Sequence, residues 1–175
     1  MEIGSGTGIV AVTAAVNGCD RVTATDLSPQ AAANTALNAH RHGVRDIVST
    51  GCGDMYEPVG TDRYDLIFWN SGARYTELAW PETEGLGRTI ADPGYTAHAT
   101  YLAQARQHLT HNGRLMLGFA DSGDRARLNA IARQHRWHIL HLETMTFADC
   151  QRTSSLLEFL PCPRTPDTDA CPACP

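Results

Sequence analysis

Three glycines near the start of the chain have a spacing that suits a ligand-binding turn. Gly4, Gly6 and Gly8 alternate with other residues in MEIGSGTGIV, between a short strand-like start and an apolar helix. Glycine has no Cβ, so the backbone can turn tightly and a ligand can approach the main chain closely. The spacing G-S-G-T-G differs from the dinucleotide-binding spacing G-x-G-x-x-G. The turn therefore predicts a ligand site, but without the dinucleotide spacing.

An acidic residue follows at the end of the next predicted strand. Asp26 closes RVTATD, a β-branched run at 21–26 that is typical of a strand. Ligands of open α/β sheets bind outside the carboxyl ends of the strands. A carboxylate in that place can accept hydrogen bonds from ribose hydroxyls. The glycine turn and Asp26 together indicate a ribose-containing ligand.

The elements that position these residues alternate between strand and helix. Apolar and β-branched runs predict strands before the glycine turn and at 21–26, 46–52, 64–70, 114–120, 137–145 and 154–160. Helical periodicity and capping residues predict helices at 9–17, 29–42, 95–110 and 124–135. This alternation implies a mostly parallel sheet with helices on both faces, a doubly wound, Rossmann-like α/β fold. Two consecutive strands at the end predict that the last strand is antiparallel.

The composition is that of an ordinary globular domain. The 175 residues are 42% apolar and 19% charged, which suits one domain with a sizeable core. The net charge of −5 offers no general basic surface, which argues against nucleic acid as the partner. The sequence has neither an apolar run of about 18 residues nor a signal peptide at its start. The predicted location is therefore the cytoplasm, with no membrane partner.

The end of the chain differs in composition from the rest. Residues 161–175, PCPRTPDTDACPACP, hold five of the nine prolines and no large apolar residue. Such a segment cannot bury enough surface to offset its ordering entropy and is predicted to be disordered. Cys171 and Cys174 could supply half of a zinc site, but a structural zinc ion needs four ligands and no second such pair accompanies them. We therefore predict a domain at 1–160, a disordered tail at 161–175, and no metal.

Four motifs, in this order and spacing, resemble those of class I S-adenosylmethionine-dependent methyltransferases. They are EIGSGTG (2–8), ATDLSP (24–29), GDMYEPV (53–59) and DLIFWN (65–70). The resemblance covers about residues 1–160. Within that class the chain looks most similar to the small-domain branch that includes release-factor glutamine methyltransferases and exocyclic-amine nucleic-acid methyltransferases.

The resemblance implies S-adenosylmethionine as the cofactor and a set of residues that would bind it. These are Glu2, Gly4, Ser5, Gly6, Gly8, Asp26, Leu27, Asp54, Met55 and Asn70. Glu2 and the glycine turn would hold the methionine part. Asp26 would bind the ribose hydroxyls, and Leu27 would pack on the adenine. Asp54 would accept from the adenine amino group, and Met55 would flank the ring.

Asn70 matches the first residue of the branch's Asn-Pro-Pro-aromatic motif, which holds the nitrogen that is methylated. In this chain Asn70 is followed by Ser71-Gly72-Ala73, without either proline or the aromatic residue. Proline fixes φ and stiffens a turn, so the rigid clamp for a nitrogen atom is weakened here. Asn70 is therefore a candidate catalytic residue that lines the acceptor site, or else an ordinary residue at a strand end.

The acceptor side of the site is predicted in the polar stretch 71–94 and in the helix that follows it. A loop this long in a compact domain is usually functional or disordered. Tyr75 and Trp80 within it, and Tyr95 beside it, are candidate substrate-binding residues. His98 is a candidate general base, and the alternative for it is a capping or surface role.

These observations lead to one main functional prediction and two alternatives. The main prediction is methyl transfer from S-adenosylmethionine to an O or N atom of a small molecule, as in specialised metabolism. The first alternative is a protein-glutamine or nucleic-acid amine methyltransferase. The second is a non-catalytic subunit with the methyltransferase fold that completes or stabilises a partner.

The short first strand adds an expectation about association. Members of the class usually have some tens of residues before the first glycine motif, and these form a helix that caps the cofactor pocket. Here the first strand is only about four residues long, and truncating a central strand leaves its neighbours partly unpaired. A misassigned start codon, a fragment of a longer protein, or a second chain that completes the domain would each explain the short strand. We expect a homodimer, or a partner chain that covers the cofactor pocket.

Overall fold

The computed structural model describes residues 1–72, 74–77, 87, 90–148 and 152–162. The chain divides into two compact units. The first consists of Met1–Asn70 and Gln107–Gly113, and the second of Ser71–Arg106 and Arg114–Pro175. None of the described helices has both the length and the hydropathy that crossing a bilayer would require.

The first unit contains four strands that run parallel to one another in the order β3-β2-β1-β4. They are β1 (Glu2–Ile3), β2 (Val22–Asp26), β3 (Val48–Cys52) and β4 (Tyr64–Ser71). The two-residue strand β1 lies between β2 and β4, since Glu2 is paired with Ala24 on one side and Phe68 on the other. All four strands therefore end at the same edge, where the glycine turn leaves β1.

Two α-helices and a 3-10 helix accompany these strands. They are α1 (Ile9–Val16), α2 (Pro29–Arg41) and the 3-10 helix Glu57–Val59. Helix α2 begins as the sequence predicts, because the Ser28 side chain accepts the N–H of Ala31 (3.3 Å) and Pro29 occupies the first helical position. Small apolar residues of α1, α2 and the strands form the core of this unit, namely Ala11, Val12, Ala15, Val22, Ala24, Ala39, Val44 and Val48.

Within its described residues, the second unit contains an antiparallel sheet, a short parallel pair of strands and two α-helices. Its elements are β5 (Arg74–Thr76), β6 (Ala91–Pro93), α3 (Thr96–His108), β7 (Leu109–Ala120), α4 (Arg125–Gln134), β8 (Trp137–Phe147) and β9 (Arg152–Pro161). The last residues of α3 and the first residues of β7 belong to the first unit. Strands β5 and β6 pair in parallel, whereas β9 pairs antiparallel with both β7 and β8. The indole N–H of Trp137 donates to the Leu102 carbonyl (2.8 Å), which joins β8 to α3.

The α/β fold with parallel strands and an antiparallel end is confirmed. Every predicted strand and helix is present within a few residues of its predicted bounds, except that β7 begins at Leu109 rather than at residue 114. The stretch 71–94 also differs from the prediction, because it contributes β5 and β6, which are too short for sequence periodicity to reveal. Strand β9 extends to Pro161, and the next residue, Cys162, donates its N–H to the Arg136 carbonyl (2.9 Å). The rest of the predicted tail lies outside the described residues, so the domain boundary stays a prediction.

Candidate functional site

The glycine turn after β1 has left-handed backbone conformations at three positions. φ is 65° at Gly4, 56° at Gly6 and 78° at Gly8, values that residues with a side chain adopt only under strain. The N–H of Ser5 donates to the Thr25 carbonyl (3.0 Å), and the N–H of Gly8 donates to the Ser5 carbonyl (2.7 Å). One hydrogen bond therefore lies within the turn, and the other joins the turn to strand β2.

The three glycines differ in what surrounds them. A Cβ on Gly8 would lie 2.6 Å from Cγ2 of Thr35, and a Cβ on Gly4 would lie 3.2 Å from Nε1 of Trp69. A Cβ on Gly6 would meet no atom within 4 Å. Gly8 is thus required by the close approach of helix α2. Gly6 presents bare backbone to open space, which is where a ligand can approach.

Asp26 joins the glycine turn to the end of β2. Its Oδ2 accepts the N–H of Gly6 and its Oδ1 accepts the N–H of Ser28, each at 2.8 Å. Each carboxylate oxygen has a further lone pair, so the group can still accept a hydrogen bond from a ligand hydroxyl. The predicted ribose-binding residue therefore also holds the turn in shape.

Glu2 supports the same turn from inside the first unit. Its side chain is 4% exposed, and Oε2 accepts the N–H of Ala11 at 2.8 Å. Helix α1 begins after Gly8, which has no side chain to cap it, and Glu2 satisfies one of the helix's free N–H groups instead. Burial raises the pKa of Glu2 to about 7, although the Ala11 hydrogen bond opposes the shift. Glu2 thus acts on the turn through the start of α1.

The residues predicted to surround an adenine lie at the neighbouring strand ends. The N–H of Gly53 donates to the Asp26 carbonyl (3.0 Å), which joins the end of β3 to the end of β2. Leu27 is 41% exposed, and Asp54 and Met55 are half-buried. Met55 has a φ of 46°, an uncommon value for a residue with a side chain. The first unit therefore brings these residues together at one edge of its sheet.

Asn70 lies at the same edge, on the other side of β1. It follows Trp69, the β4 partner of Ile3, so the register places Asn70, near the end of β4, beside Gly4. Asn70 is exposed, whereas Trp69 is buried. An exposed amide beside the turn is accessible to a second reactant.

The predicted acceptor residues that are described form an aromatic group in the second unit. Tyr95 is fully buried, and its hydroxyl accepts the N–H of Asp124 (2.8 Å). The rings of Tyr75 and Tyr95 meet edge to face at 5.4 Å, and that of His98 lies 4.3 Å from Tyr95. Tyr75 is half-buried. Trp80 lies outside the described residues, so its predicted role remains a prediction.

His98 is paired with a carboxylate that the sequence analysis did not select. Asp92 is 3% exposed, and 2.7 Å separate its Oδ2 from Nδ1 of His98, which is itself fully buried. Asp92 also accepts the N–H groups of Ala97 (3.1 Å) and His98 (3.0 Å) at the start of α3. Burial alone would raise the pKa of Asp92, but the hydrogen bonds from His98 and Ala97 outweigh it and lower that pKa. The pair anchors the beginning of helix α3.

Two further residues missed by the sequence analysis contact the glycine turn from helix α2. Thr35 hydrogen-bonds Ser5 and the Gly6 carbonyl, and Asn38 donates to the Thr7 carbonyl. A signal was available for Thr35, because it is the polar member of a buried stripe with helical spacing, Ala32, Thr35 and Ala39. Asn38 has no such signal.

Comparison with known proteins agrees with the fold and the motifs. The chain belongs to the class I S-adenosylmethionine-dependent methyltransferases. Within that class, residues 1–76 match the family model described as ribosomal protein L11 methyltransferase (PrmA). The crystal structure of a ribosomal protein L11 methylase from Lactobacillus delbrueckii subsp. bulgaricus has a TM-score of 0.62 and 17% identity, over 89% of this chain and 67% of that chain. This likeness is evidence for the fold.

Two curated relatives extend the comparison. A ribosomal protein L11 methyltransferase of Desulforamulus reducens is 30% identical over 127 residues, which are 70% of this chain and 40% of that protein. A release factor glutamine methyltransferase of Bordetella pertussis is 47% identical over 73 residues, which are 40% of this chain and 26% of that protein. The chain thus covers less than half of either relative. Both names specify a protein acceptor, so the small-molecule acceptor predicted from the sequence is wrong.

Proposed function

We propose that this chain binds S-adenosylmethionine and transfers its methyl group to a nitrogen atom of a protein of the translation apparatus. The observation that carries the proposal is the geometry of the turn at Gly6. Its backbone faces open space, and its N–H donates to Asp26. The Asp26 carboxylate has further lone pairs that can accept hydrogen bonds from a ligand. The cofactor supplies an already activated methyl group on its sulfonium.

The residues at the edge of the first unit fit such a cofactor. Asp26 offers acceptors for ribose hydroxyls, and the exposed part of Leu27 offers an apolar surface for a flat base. Asp54, at the end of β3, can accept from an exocyclic amine. The bare backbone of Gly6 leaves room for the methionine part. The chain contributes placement and exclusion of water, and these can supply several kcal/mol of a transfer barrier.

A protein acceptor is supported by the names of the two relatives and by the position of Asn70. One relative is named for ribosomal protein L11 and the other for a release-factor glutamine. Asn70 is exposed beside Gly4, so an acceptor on a large molecule can reach it. Its side-chain oxygen can accept a hydrogen bond from the N–H of an amide or amine. We assign Asn70 the role of holding the acceptor nitrogen, and full burial of His98 favours an anchoring role for that residue.

Cofactor binding is tested by calorimetric titration of the 175-residue chain with S-adenosylmethionine and S-adenosylhomocysteine. We expect micromolar binding that Asp26→Asn weakens at least tenfold. Asp26 accepts one N–H group with each carboxylate oxygen, whereas asparagine has only one side-chain oxygen. Its NH2 group would face the other N–H group, so about one charged hydrogen bond is lost. Asp20→Asn, an exposed residue before β2, is the control and should bind normally. Absence of binding by the folded wild-type chain would contradict the proposal.

The acceptor is tested with tritiated S-adenosylmethionine, supplied with purified ribosomal protein L11 or release factor, and with ribosomal RNA as a competitor. We expect the label in protein, at a nitrogen that mass spectrometry identifies. Asn70→Ala should reduce the labelling rate at least tenfold with unchanged cofactor affinity, and Asn34→Ala, at an exposed position of α2, should not. Label found only in RNA, or no label despite cofactor binding, would refute the protein acceptor.

A further inference from the structure

We infer that Thr35 and Asn38 of helix α2 are positioning residues that fix the direction of the peptide groups in the glycine turn. This inference rests on the proposed function, since it assigns these residues to the cofactor-binding turn. Neither residue belongs to the four motifs. Both contact the turn from helix α2.

Thr35 binds the turn through its hydroxyl. The residue is fully buried, and Oγ1 donates to the Gly6 carbonyl (3.3 Å) and lies 3.0 Å from Oγ of Ser5. A hydroxyl has a single hydrogen. Because Thr35 donates its hydrogen to Gly6, Ser5 must donate to Thr35. The two hydroxyls thus form a directed chain that ends at a carbonyl of the turn.

Asn38 lies three residues further along α2, on the same face of the helix. Its Nδ2 donates to the Thr7 carbonyl at 2.8 Å. Two consecutive carbonyls, those of Gly6 and Thr7, are therefore held toward helix α2. No residue of the turn itself supplies either hydrogen bond.

The orientation of these carbonyls determines where the turn's N–H groups point. In a trans peptide the C=O and the following N–H lie on opposite sides. Holding the Gly6 carbonyl toward α2 therefore directs the N–H of Thr7 away from α2. The N–H of Gly6 is held by Asp26 (2.8 Å), and that of Gly8 by the Ser5 carbonyl (2.7 Å). Four groups of the turn are thus fixed before a ligand arrives, which reduces the ordering cost of binding.

The two parts of the Thr35 side chain can be separated experimentally. Its methyl group lies against Gly8, where an added Cβ would come within 2.6 Å of Cγ2. Its hydroxyl binds Gly6 and Ser5. Valine would keep the shape and lose the hydroxyl, whereas serine would keep the hydroxyl and lose the methyl group. If Thr35 only filled space, valine would be tolerated better than serine, because a buried hydroxyl without a hydrogen bond is unfavourable.

The experiment measures S-adenosylhomocysteine affinity by calorimetry, together with amide hydrogen exchange of Thr7 in the unliganded chain by NMR. We expect Thr35→Val to weaken binding about tenfold and to speed Thr7 exchange, and Thr35→Ser to stay within about threefold of wild type. Asn38→Ala should weaken binding about fivefold. The controls are Thr13→Val and Asn34→Ala, at exposed helix positions, and they should change neither measurement.

Two results would overturn the inference. One is a folded Thr35→Val chain with wild-type affinity and wild-type Thr7 exchange. The other, decisive if Thr35→Val does not fold, is an Asn38→Ala chain unchanged in both measurements. If the wild-type chain binds neither S-adenosylmethionine nor S-adenosylhomocysteine, the proposed function fails by itself. The exchange rate of Thr7 in the unliganded variants still decides whether α2 orders the turn.

Discussion

At the scale of single residues, two glycines of the same turn are needed for different reasons. Gly8 adjoins Thr35, so any side chain there collides with helix α2. Gly6 has room for a side chain but a left-handed φ of 56°. The space beside Gly6 belongs to the ligand in the proposed function. The two positions should therefore respond differently to the same substitution.

We expect Gly6→Ala to leave a folded chain that has lost cofactor affinity. The left-handed conformation costs alanine about 1–2 kcal/mol, while the new methyl group occupies the space that faces the ligand. Gly43 is the matched control, because it also has a positive φ, 71°, with no atom within 4 Å of an added Cβ. Gly43→Ala should show a similar loss in urea unfolding but normal calorimetric binding. Equal affinities for the two variants would contradict the assignment of the open space.

Glu2 provides a pH-dependent prediction. Burial raises its pKa from 4.5 to about 7, so the folded chain binds this proton more tightly than the unfolded chain does. The resulting stabilisation is fully present below pH 4.5 and is lost as the pH rises through about 7. We expect this group to account for a fall of about 3 kcal/mol in the free energy of unfolding.

The test compares the wild-type chain with Glu2→Gln in urea unfolding across that pH range. Glutamine keeps an acceptor oxygen for the Ala11 N–H but cannot ionise, so the variant should lack most of the decline. The difference between the two curves reports Glu2 together with its electrostatic effect on the N-terminal amine of Met1. Parallel curves would mean that Glu2 titrates at its ordinary pKa.

At the scale of elements, two helices of the second unit begin at carboxylates in different environments. Asp124 caps α4 by accepting the N–H of Arg127 (2.9 Å), and its side chain is 40% exposed. The buried Asp92 accepts hydrogen bonds from two N–H groups of α3 and also pairs with Nδ1 of His98. Both carboxylates satisfy free N–H groups at a helix start. Only Asp92 also pairs with a buried side chain.

Replacing these two carboxylates by alanine should therefore have unequal effects. We expect Asp124→Ala to cost about 1 kcal/mol, as is usual for an N-cap. Asp92→Ala should cost about 3 kcal/mol or more, because it also leaves a buried imidazole without its carboxylate. Chemical unfolding followed by circular dichroism measures both. Losses of the same size would show that the His98 pair adds nothing beyond capping.

At the scale of the whole molecule, cofactor binding should appear as thermal stabilisation. A ligand at one hundred times its dissociation constant adds about 2.7 kcal/mol to the folded state. For a chain of this size that corresponds to a rise in Tm of about 5–10 °C. We expect this rise with S-adenosylhomocysteine in calorimetric scans at a fixed ligand concentration. Asp26→Asn should reduce it strongly at the same concentration, and an undiminished rise in that variant would place the ligand elsewhere.

The order of the strands and helices could be predicted from the sequence because its signals are local. Ser28 and Pro29 mark the start of α2, and β-branched runs mark β2. The pair β5–β6 could not be predicted, since three-residue strands have too few positions to show an alternation. The early start of β7 at Leu109 was missed because His111-Asn112-Gly113 reads as a loop.

The sequence by itself determined the glycine turn and Asp26, because alternating glycines and an acid at a strand end identify a ligand site without further contacts. Only the tertiary structure decided what holds that turn. Ser5 and Thr35 are separated by 30 positions, and Gly6 and Asp26 by 20. It also decided the surroundings of His98, a candidate general base in the sequence, whose Nδ1 lies 2.7 Å from Oδ2 of the buried Asp92. Local signals report the conformation that a segment prefers, whereas partners depend on which distant segments the fold brings together.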